Sequence, residues 1–365
     1  MAKKRKRSAK NKVKNIKKGK KEPKASRQEK PERFKVAING FGRIGKQFFL
    51  ACIKQNVPFD FVINHSSDIE YIVYLLKYDS VHAAPTEKVL HDGKHLYFGD
   101  KKIRVYSELD PEKLPWKNEK VDLVVECTGM FTNRHEAEKH IKAGAKKVLI
   151  SAPAKGNDIT IVPRVNDSSL LPEHTIISAG SCTTNCVAPM MKILNDNFVI
   201  KNSFFITTHA YTATQRLIDG IDKKDLRRGR AAANEIVPST SGASQSVTEA
   251  LPELKGKLDG YALRVPVVDG SISSIIAEVE KKTNPKTINE LFKKLAETKY
   301  KGIVEYTSDP IVSADIIGNP SSVIFDSGLT SVNGNLISIA GWYDNEIGYS
   351  HRLVDVAKLI LSKTE

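Results

Sequence analysis

Folded character begins at Phe34. The run FKVAING is short and apolar and ends in a glycine turn, which predicts a buried strand. GFGRIGKQFFLACIKQ then places Ile44, Phe48, Ala51 and Cys52 on one face at helical spacing, and FDFVINH reads as a second strand. Residues 34–65 therefore predict a β-α-β unit with a parallel sheet. VDLVVECTG and KKVLISAPA predict two further buried strands, separated by the helix RHEAEKHIKAG that stops at Gly144. From about Ser181 the pattern changes. NSFFITTHAYTATQ, GYALRVPVV and SISSIIAEVEKK are longer and alternating, which predicts a second, α+β domain rich in antiparallel pairing. VDVAKLILSK closes the chain as an amphipathic helix, and no internal repeat is visible. The expected division is a tail over 1–33, a dinucleotide-binding domain over 34–181 plus 346–365, and a catalytic domain over 182–345.

Charge changes this picture at one end only. The 365-residue chain carries a net +15. Residues 1–33 hold 16 Lys/Arg against 3 Asp/Glu, and the remainder holds 41 against 39. The basicity belongs to a tail with almost no apolar residue, whose composition predicts disorder. Such a tail suits RNA, DNA or another polyanion, since phosphate attraction needs only charge. KKRKR also fits a nuclear-import signal in a eukaryotic cell. No stretch reaches the roughly 18–20 apolar residues that span a bilayer, and the first thirty residues lack the apolar core of a secretory signal. Four scattered cysteines point to a reducing compartment, so the expected location is cytoplasmic, without a membrane partner.

Gly40, Gly42 and Gly45 form G-x-G-x-x-G between the first strand and the helix, inside the β-α-β unit. In that setting the motif predicts a dinucleotide site. The glycines let the backbone approach a pyrophosphate resting on the helix N-terminus. The end of the second strand should carry an acid for the adenine ribose, but it reads VINHSSD. An acid there favours NAD and repels the 2′-phosphate of NADP. The absence of negative charge at His65 and Ser66 removes that repulsion, and Ser66, Ser67 and a protonatable His65 could accept the extra phosphate. The cofactor is thus NADP or NAD, leaning to NADP.

SAGSCTTNC, Ser178 to Cys186, raises a different chemistry. Zinc needs three or four ligands in paired spacing, and no second cysteine pair exists, so no metal is expected. A bridge from Cys182 to Cys186 would strain disulfide geometry within one helical turn. Cys186 suits a buried helix position, with Val187 and Met190 continuing the apolar face. Cys182 stands at what looks like a helix start, where free amides favour a thiolate and can hold an oxyanion. His209, at the end of the strand in FFITTHAYT, is the candidate base. A Cys/His pair adds to an aldehyde to give a thiohemiacetal, and hydride loss to a nicotinamide leaves a thioester.

NGFGRIG, SCTTNC, THAYTATQ, DLRRGRAA, LRVP and WYDNE occur in this order. Together they resemble the glyceraldehyde-3-phosphate dehydrogenase family from about Phe34 to the C-terminus. The resemblance implies phosphorylating oxidation of glyceraldehyde 3-phosphate, with Cys182 as nucleophile and His209 as base. Ser181, Thr183, Ser241 and Gly242 would bind inorganic phosphate, and Thr212 and Arg264 the substrate's own phosphate. Arg43 and Ile44 would meet the pyrophosphate. Thr128, Gly129 and Ser151 would line the cofactor cleft, and Asn345 would bind the nicotinamide carboxamide. The resemblance also implies a homotetramer, with LRRGRAA in a loop near the neighbouring cofactor.

The departures from the family pattern concern the cofactor and the fine shape of the site. The ribose-binding acid is His65, and the Leu-Pro pair before the basic run is Gly220-Ile221. Leu109 stands for an arginine, Ile347 for a tryptophan, Gln245 for a lysine, and DGSISS for NVSVVD. Two other readings are an erythrose-4-phosphate dehydrogenase and a nucleic-acid-binding protein built on a dehydrogenase scaffold.

Overall fold

Phe34–Asn39 and Phe59–Asn64 pair in parallel, Phe34 opposite Phe59 and Asn39 opposite Asn64, joined by the helix Arg43–Lys54. This is the β-α-β unit expected from the pattern. The computed structural model describes residues 33–223 and 225–363. The proposed polyanion arm, residues 1–32 together with Arg33, therefore lies outside the described residues except for Arg33.

Among the described residues the first sheet has nine strands. Phe34–Asn39 lies at its centre, flanked in parallel by Phe59–Asn64 and by Leu123–Glu126, and Lys147–Ile150 follows. The chain runs from the central strand to one side, through Phe59–Asn64 and Lys101–Tyr106, and then crosses back to Leu123–Glu126 on the other, so a crevice opens at the carboxyl ends of the strands, the place where open α/β sheets bind ligands. Val36, Ile38, Leu123, Val125 and Leu149 are fully buried in one of the two layers that cover this sheet. Burial on both faces is why these strands read as apolar runs. One edge carries Val89–His91, His95–Phe98 and Lys101–Tyr106, of which the first two pairings are antiparallel.

The second sheet has seven strands among the described residues, in the order Val237–Thr240, Leu258–Val265, Ile200–Ala210, Ser271–Val279, Leu336–Tyr343, Val323–Asn333 and Val304–Thr307. Four pairings are antiparallel, as the alternating pattern suggests. Two are parallel: Ile200–Ala210 with Leu258–Val265, and Val304–Thr307 with Val323–Asn333. A parallel pair needs a long crossover, and residues 211–257 supply one, including the helix Ala243–Ala250. That pairing sets His209 directly opposite Arg264.

Two helices join the sheets. Cys182–Phe198 buries Cys186, Val187, Met190, Ile193 and Leu194 against the second sheet. Ile347–Ser362 follows directly from that sheet's strand Leu336–Tyr343, yet its Leu353, Val354, Val356 and Ile360 pack into the core of the first. Cys182 touches both cores, at the seam between them.

Candidate active site

The glycine motif is shaped by contacts. Gly40 has φ +91°, and a Cβ there would lie 2.8 Å from both Cγ2 and N of Thr128. A Cβ on Gly45 would lie 2.1 Å from the Gly40 carbonyl oxygen. Gly40 needs glycine so that the turn can close against the loop at Thr128, and Gly45 so that the helix start can close against the turn itself. Gly42 is different: a Cβ there meets nothing within 4 Å, so one side of the turn is open. Gly42 is also the N-cap of Arg43–Lys54, and no side chain caps it. The first amides of that helix are left for an anion. These features fit a dinucleotide pyrophosphate.

Ile44 is half-buried at the same turn. Arg43 points elsewhere. Its Nε donates to both Glu346 oxygens at 2.8 and 3.0 Å, and its Nη1 donates to Asp79 at 2.8 Å. Its expected pyrophosphate contact is thus left to its backbone N–H. His65 is pinned across the turn: its N–H donates to Tyr106 O at 3.1 Å, and its Nδ1 accepts from Phe41 N at 3.3 Å. Burial lowers its pKa, so the ring is neutral at pH 7. With Nδ1 accepting from Phe41 N, the ring's other nitrogen, Nε2, is the one that carries the proton. Ser66 beside it is exposed. Across the crevice the buried Glu126 accepts from Thr128 N at 2.7 Å and also from the Thr128 hydroxyl, while Ser151 N donates to Glu126 O at 3.0 Å. Glu126 is itself held by Asn39 Nδ2 at 2.6 Å and His140 Nε2 at 3.0 Å. Gly129 completes this loop at φ +69° with open space beside it.

The candidate nucleophile, Cys182, lies beyond. Ser181 is the N-cap of Cys182–Phe198 in a capping box with Thr184: its Oγ accepts from Thr184 N at 3.1 Å and its N donates to Thr184 Oγ1 at 3.0 Å. Cys182 is therefore the first helical residue. Its Sγ lies 3.3 Å from His209 Nε2. The other ring nitrogen, Nδ1, lies 2.7 Å from Ala210 O and 2.7 Å from Arg264 Nη1, and Nη1 also donates to Ala210 O at 3.0 Å.

All four cysteines are free thiols, and the one group of described residues able to surround an ion, His82, Asp269 and Asp344, contains no cysteine.

Models of the glyceraldehyde 3-phosphate dehydrogenase NAD binding domain and C-terminal domain match residues 34–134 and 181–345. The chain belongs to the glyceraldehyde 3-phosphate dehydrogenase family. It is 48% identical over 329 residues to glyceraldehyde-3-phosphate dehydrogenase 2 of Streptomyces avermitilis, covering 89% of this chain and 98% of that one. It is 47% identical over 331 residues to the glyceraldehyde-3-phosphate dehydrogenase of Geobacillus stearothermophilus, covering 90% and 98%. The corresponding enzyme of Priestia megaterium is 46% identical over 331 residues, with the same shares. The protein is an oxidoreductase, an NAD(P)-dependent dehydrogenase of this family. Every expected site residue except Ser151 lies inside a matched segment.

Within this dehydrogenase site the charges oppose a simple expectation. Burial pushes the Cys182 thiol up, against the pull of Arg264 and of the Thr183 amide and hydroxyl. The depressed thiol expected of a helix N-terminus is therefore not reached, because the sulfur sits at the seam of two cores. Burial, and then the adjacent Arg264 guanidinium, hold His209 far below the usual imidazole range, at about 3. The pair is poised as a neutral thiol beside a neutral imidazole.

The other expected residues divide into open and engaged groups. Thr212 is half-buried, its hydroxyl 3.0 Å from that of Thr214. Ser241 Oγ accepts from Ala243 N at 3.2 Å, and Gly242 caps the helix Ala243–Ala250 with no side-chain hydrogen bond. Thr183 is buried, its hydroxyl 3.0 Å from that of Tyr343, so an anion would meet it through an exchange of partners. Asn345 is buried, and its Oδ1 accepts from Ser271 Oγ at 2.7 Å. Several groups that hold this site were not visible in the pattern. WYDNE pointed to Asn345, but nothing in spacing tied Glu346 to Arg43, 303 residues away. Tyr343 and Ser271 are ordinary strand residues until register places them.

Proposed function

We propose that this chain catalyses the phosphorylating oxidation of glyceraldehyde 3-phosphate to 1,3-bisphosphoglycerate through a thioester on Cys182. The observation that carries the reading is Cys182 Sγ at 3.3 Å from His209 Nε2, with Arg264 directly behind the same imidazole. Cys182 and His209 are 27 residues apart and belong to different elements, a helix start and a strand end.

His209 Nε2 takes the thiol proton as sulfur bonds to the aldehyde carbon and passes it to the oxygen, giving a thiohemiacetal and restoring the neutral imidazole. The amides at the start of Cys182–Phe198 face the oxygen that gains charge in that step. A nicotinamide held in the cleft would supply the hydride acceptor for oxidation of the thiohemiacetal to a thioester, and His209 would take the hydroxyl proton. Inorganic phosphate then attacks the thioester carbonyl, and the thiolate leaves. Ser181, Thr183, Ser241 and Gly242 are the proposed phosphate ligands. Thr212 and Arg264 are proposed for the substrate's own phosphate, which matches a guanidinium fork. Arg264 then has two positions to choose between. Against Nδ1 it depresses His209; drawn to a phosphate, it leaves Nδ1–H free to donate to Ala210 O, so that the Nε2 lone pair faces sulfur.

Gly40, Gly42, Arg43, Ile44 and Gly45 would hold the pyrophosphate, His65 and Ser66 the adenine ribose, Thr128, Gly129 and Ser151 the cleft wall, and Asn345 the carboxamide. We lean to NADP because no acid stands at His65. A groove beyond Ser66, lined by Ser67, Lys94, Arg104 and Tyr106, brings two cations near, with Asp68 and Glu70 also on its wall. We also propose the division into binding and catalytic domains given by the sequence, cytoplasmic action and a homotetramer. The last draws support from Leu217, Ile218, Ile221 and Leu226, each at least 75% exposed on one segment, since a cluster of exposed large apolar side chains marks a contact surface. No helix among the described residues is long and apolar enough to cross a membrane. Residues 1–33 are proposed to bind a polyanion, which salt-dependent RNA binding by the full chain and by a chain lacking them would test; equal binding refutes it.

The experiment for the catalytic reading is the initial rate with glyceraldehyde 3-phosphate and inorganic phosphate, run with NAD and NADP in parallel. A phosphate-dependent rate, higher with NADP, is expected. No rate with either cofactor would refute the activity, and a clear NAD preference would refute the lean.

A further inference from the structure

One hydroxyl ties the two halves of the site together. Ser271 opens the strand Ser271–Val279, which lies between Ile200–Ala210 and Leu336–Tyr343. The neighbours end at the two chemically distinct parts of the site: one at His209-Ala210, the other just before Asn345. Register places Ser271 opposite Tyr343, and Ile272 opposite Thr208. Its Oγ accepts from Ala210 N at 3.1 Å and lies 2.7 Å from Asn345 Oδ1. A hydroxyl has one proton, so with Ala210 N–H on a lone pair that proton is free to go to Asn345 Oδ1. Ser271 is 1% exposed and Asn345 6%, so water does not readily substitute.

The turn that carries Asn345 is fixed independently. Asp344 Oδ1 accepts from Glu346 N at 2.8 Å and Ile347 N at 2.7 Å, and its Oδ2 accepts from Gly318 N at 2.7 Å. The backbone at 344–347 is thus held, but these bonds do not decide which way round the Asn345 amide sits. Ser271 does. With the amide oxygen turned to Ser271, the NH2 end is left to act as a donor.

We propose that Ser271 is a positioning residue that sets the donor polarity of Asn345 toward the nicotinamide carboxamide, and through it the ring face that is presented. The inference rests on Asn345 meeting the cofactor, as in the proposed function. An Asn345 amide turned the other way would offer oxygen to a carboxamide oxygen, and the ring would lose its preferred orientation. The contact to Ala210 N links this orientation to the strand that carries His209.

The test uses the full chain as wild type, Ser271→Ala, Ser271→Thr and Asn345→Asp. Cofactor affinity is read by equilibrium titration, without turnover. Face selectivity is read from the side of the nicotinamide that receives deuterium from C1-deuterated glyceraldehyde 3-phosphate. Loss of one buried hydrogen bond predicts cofactor binding about tenfold weaker in Ser271→Ala, with deuterium appearing on the second face at the percent level. Ser271→Thr keeps the hydroxyl and retains single-face transfer. Asn345→Asp can still accept from Ser271 but cannot donate, and so binds cofactor as poorly as Ser271→Ala. A Ser271→Ala protein that binds cofactor as wild type does and transfers to one face overturns the proposal. Should that variant not fold, wild-type affinity in Asn345→Asp overturns it equally. A wild type that binds cofactor but does not oxidise the aldehyde would instead overturn the proposed function, leaving the affinity arm to decide the role of Ser271.

Discussion

Replacing His65 by Asp tests how this chain chooses its cofactor. His65 Nδ1 accepts from Phe41 N at 3.3 Å, and burial keeps the ring uncharged at neutral pH. The native residue therefore carries no negative charge to repel a 2′-phosphate. An aspartate that reaches the ribose would put a carboxylate about 5 Å from that phosphate. With an effective dielectric of roughly 20 to 80, each pair of unit charges at that distance costs about 1–3 kcal/mol. A central value of about 2 kcal/mol converts to a shift of roughly 30-fold in the NADP/NAD ratio of kcat/KM, toward NAD. The assay is kcat/KM with each cofactor at fixed salt, since salt screens the effect and should shrink the shift. His65→Asn is the control: it can still accept from Phe41 N but adds no charge. If His65→Asp and His65→Asn move the ratio equally, or neither moves it, charge at this position does not select the cofactor. Because His65 is neutral, the native ratio should also show no step between pH 7 and 8 attributable to this residue.

Other perturbations probe different parts of the account. Cys182→Ser should abolish aldehyde oxidation while cofactor titration is unchanged; residual turnover above about a thousandth of wild type would displace Cys182 as nucleophile. His209→Asn should slow iodoacetamide alkylation of Cys182 at pH 8 by roughly 10²-fold, the scale of a general base, and an unchanged pH–alkylation profile would refute its role. Asp79 is buried between Lys46 and Arg43. Burial alone would raise its carboxyl, but Lys46, the Val81 N–H and Arg43 hold it well below the usual range. Asp79→Asn leaves the buried Lys46 ammonium uncompensated, so urea unfolding should show a loss of about 3 kcal/mol. Because the folded pKa is the lower one, this contribution is fully present above the unfolded value of about 3.9 and declines as pH falls below it. A change under about 0.5 kcal/mol at pH 7 would show that the pair is solvated.

The parts of this molecule that were legible in sequence are those set by local pattern. The central strands of the first sheet are buried on both faces, so Val36–Ile38, Leu123–Val125 and Val148–Ile150 stand out as apolar runs. The edge strands did not, because Val89–His91 buries only its first residue and His95–Phe98 alternates over just four. Parallel pairing of Ile200–Ala210 with Leu258–Val265 was not legible either, since it depends on where a long crossover returns. The site divides in the same way. Cys182 and His209 stand in short distinctive segments, and their 3.3 Å contact follows from the fold those segments indicate. The engagement of Arg43 by Glu346, of Thr183 by Tyr343 and of Asn345 by Ser271 joins residues 74 to 303 positions apart. Such pairs are products of register, and the single sequence carries no local signal for them. Burial also opposes one expectation of charge: it raises the Cys182 thiol that a helix start would lower.

The most direct measurement of the central claim is peptide mass mapping of the protein after mixing with glyceraldehyde 3-phosphate and NADP or NAD, quenched in acid without inorganic phosphate. The account predicts a phosphoglyceroyl thioester that fragmentation of the peptide places on Cys182 and not on Cys186, absent from Cys52 and Cys127, and discharged when phosphate is added before the quench. No adduct from a protein that binds cofactor, or an adduct on another cysteine, would contradict it.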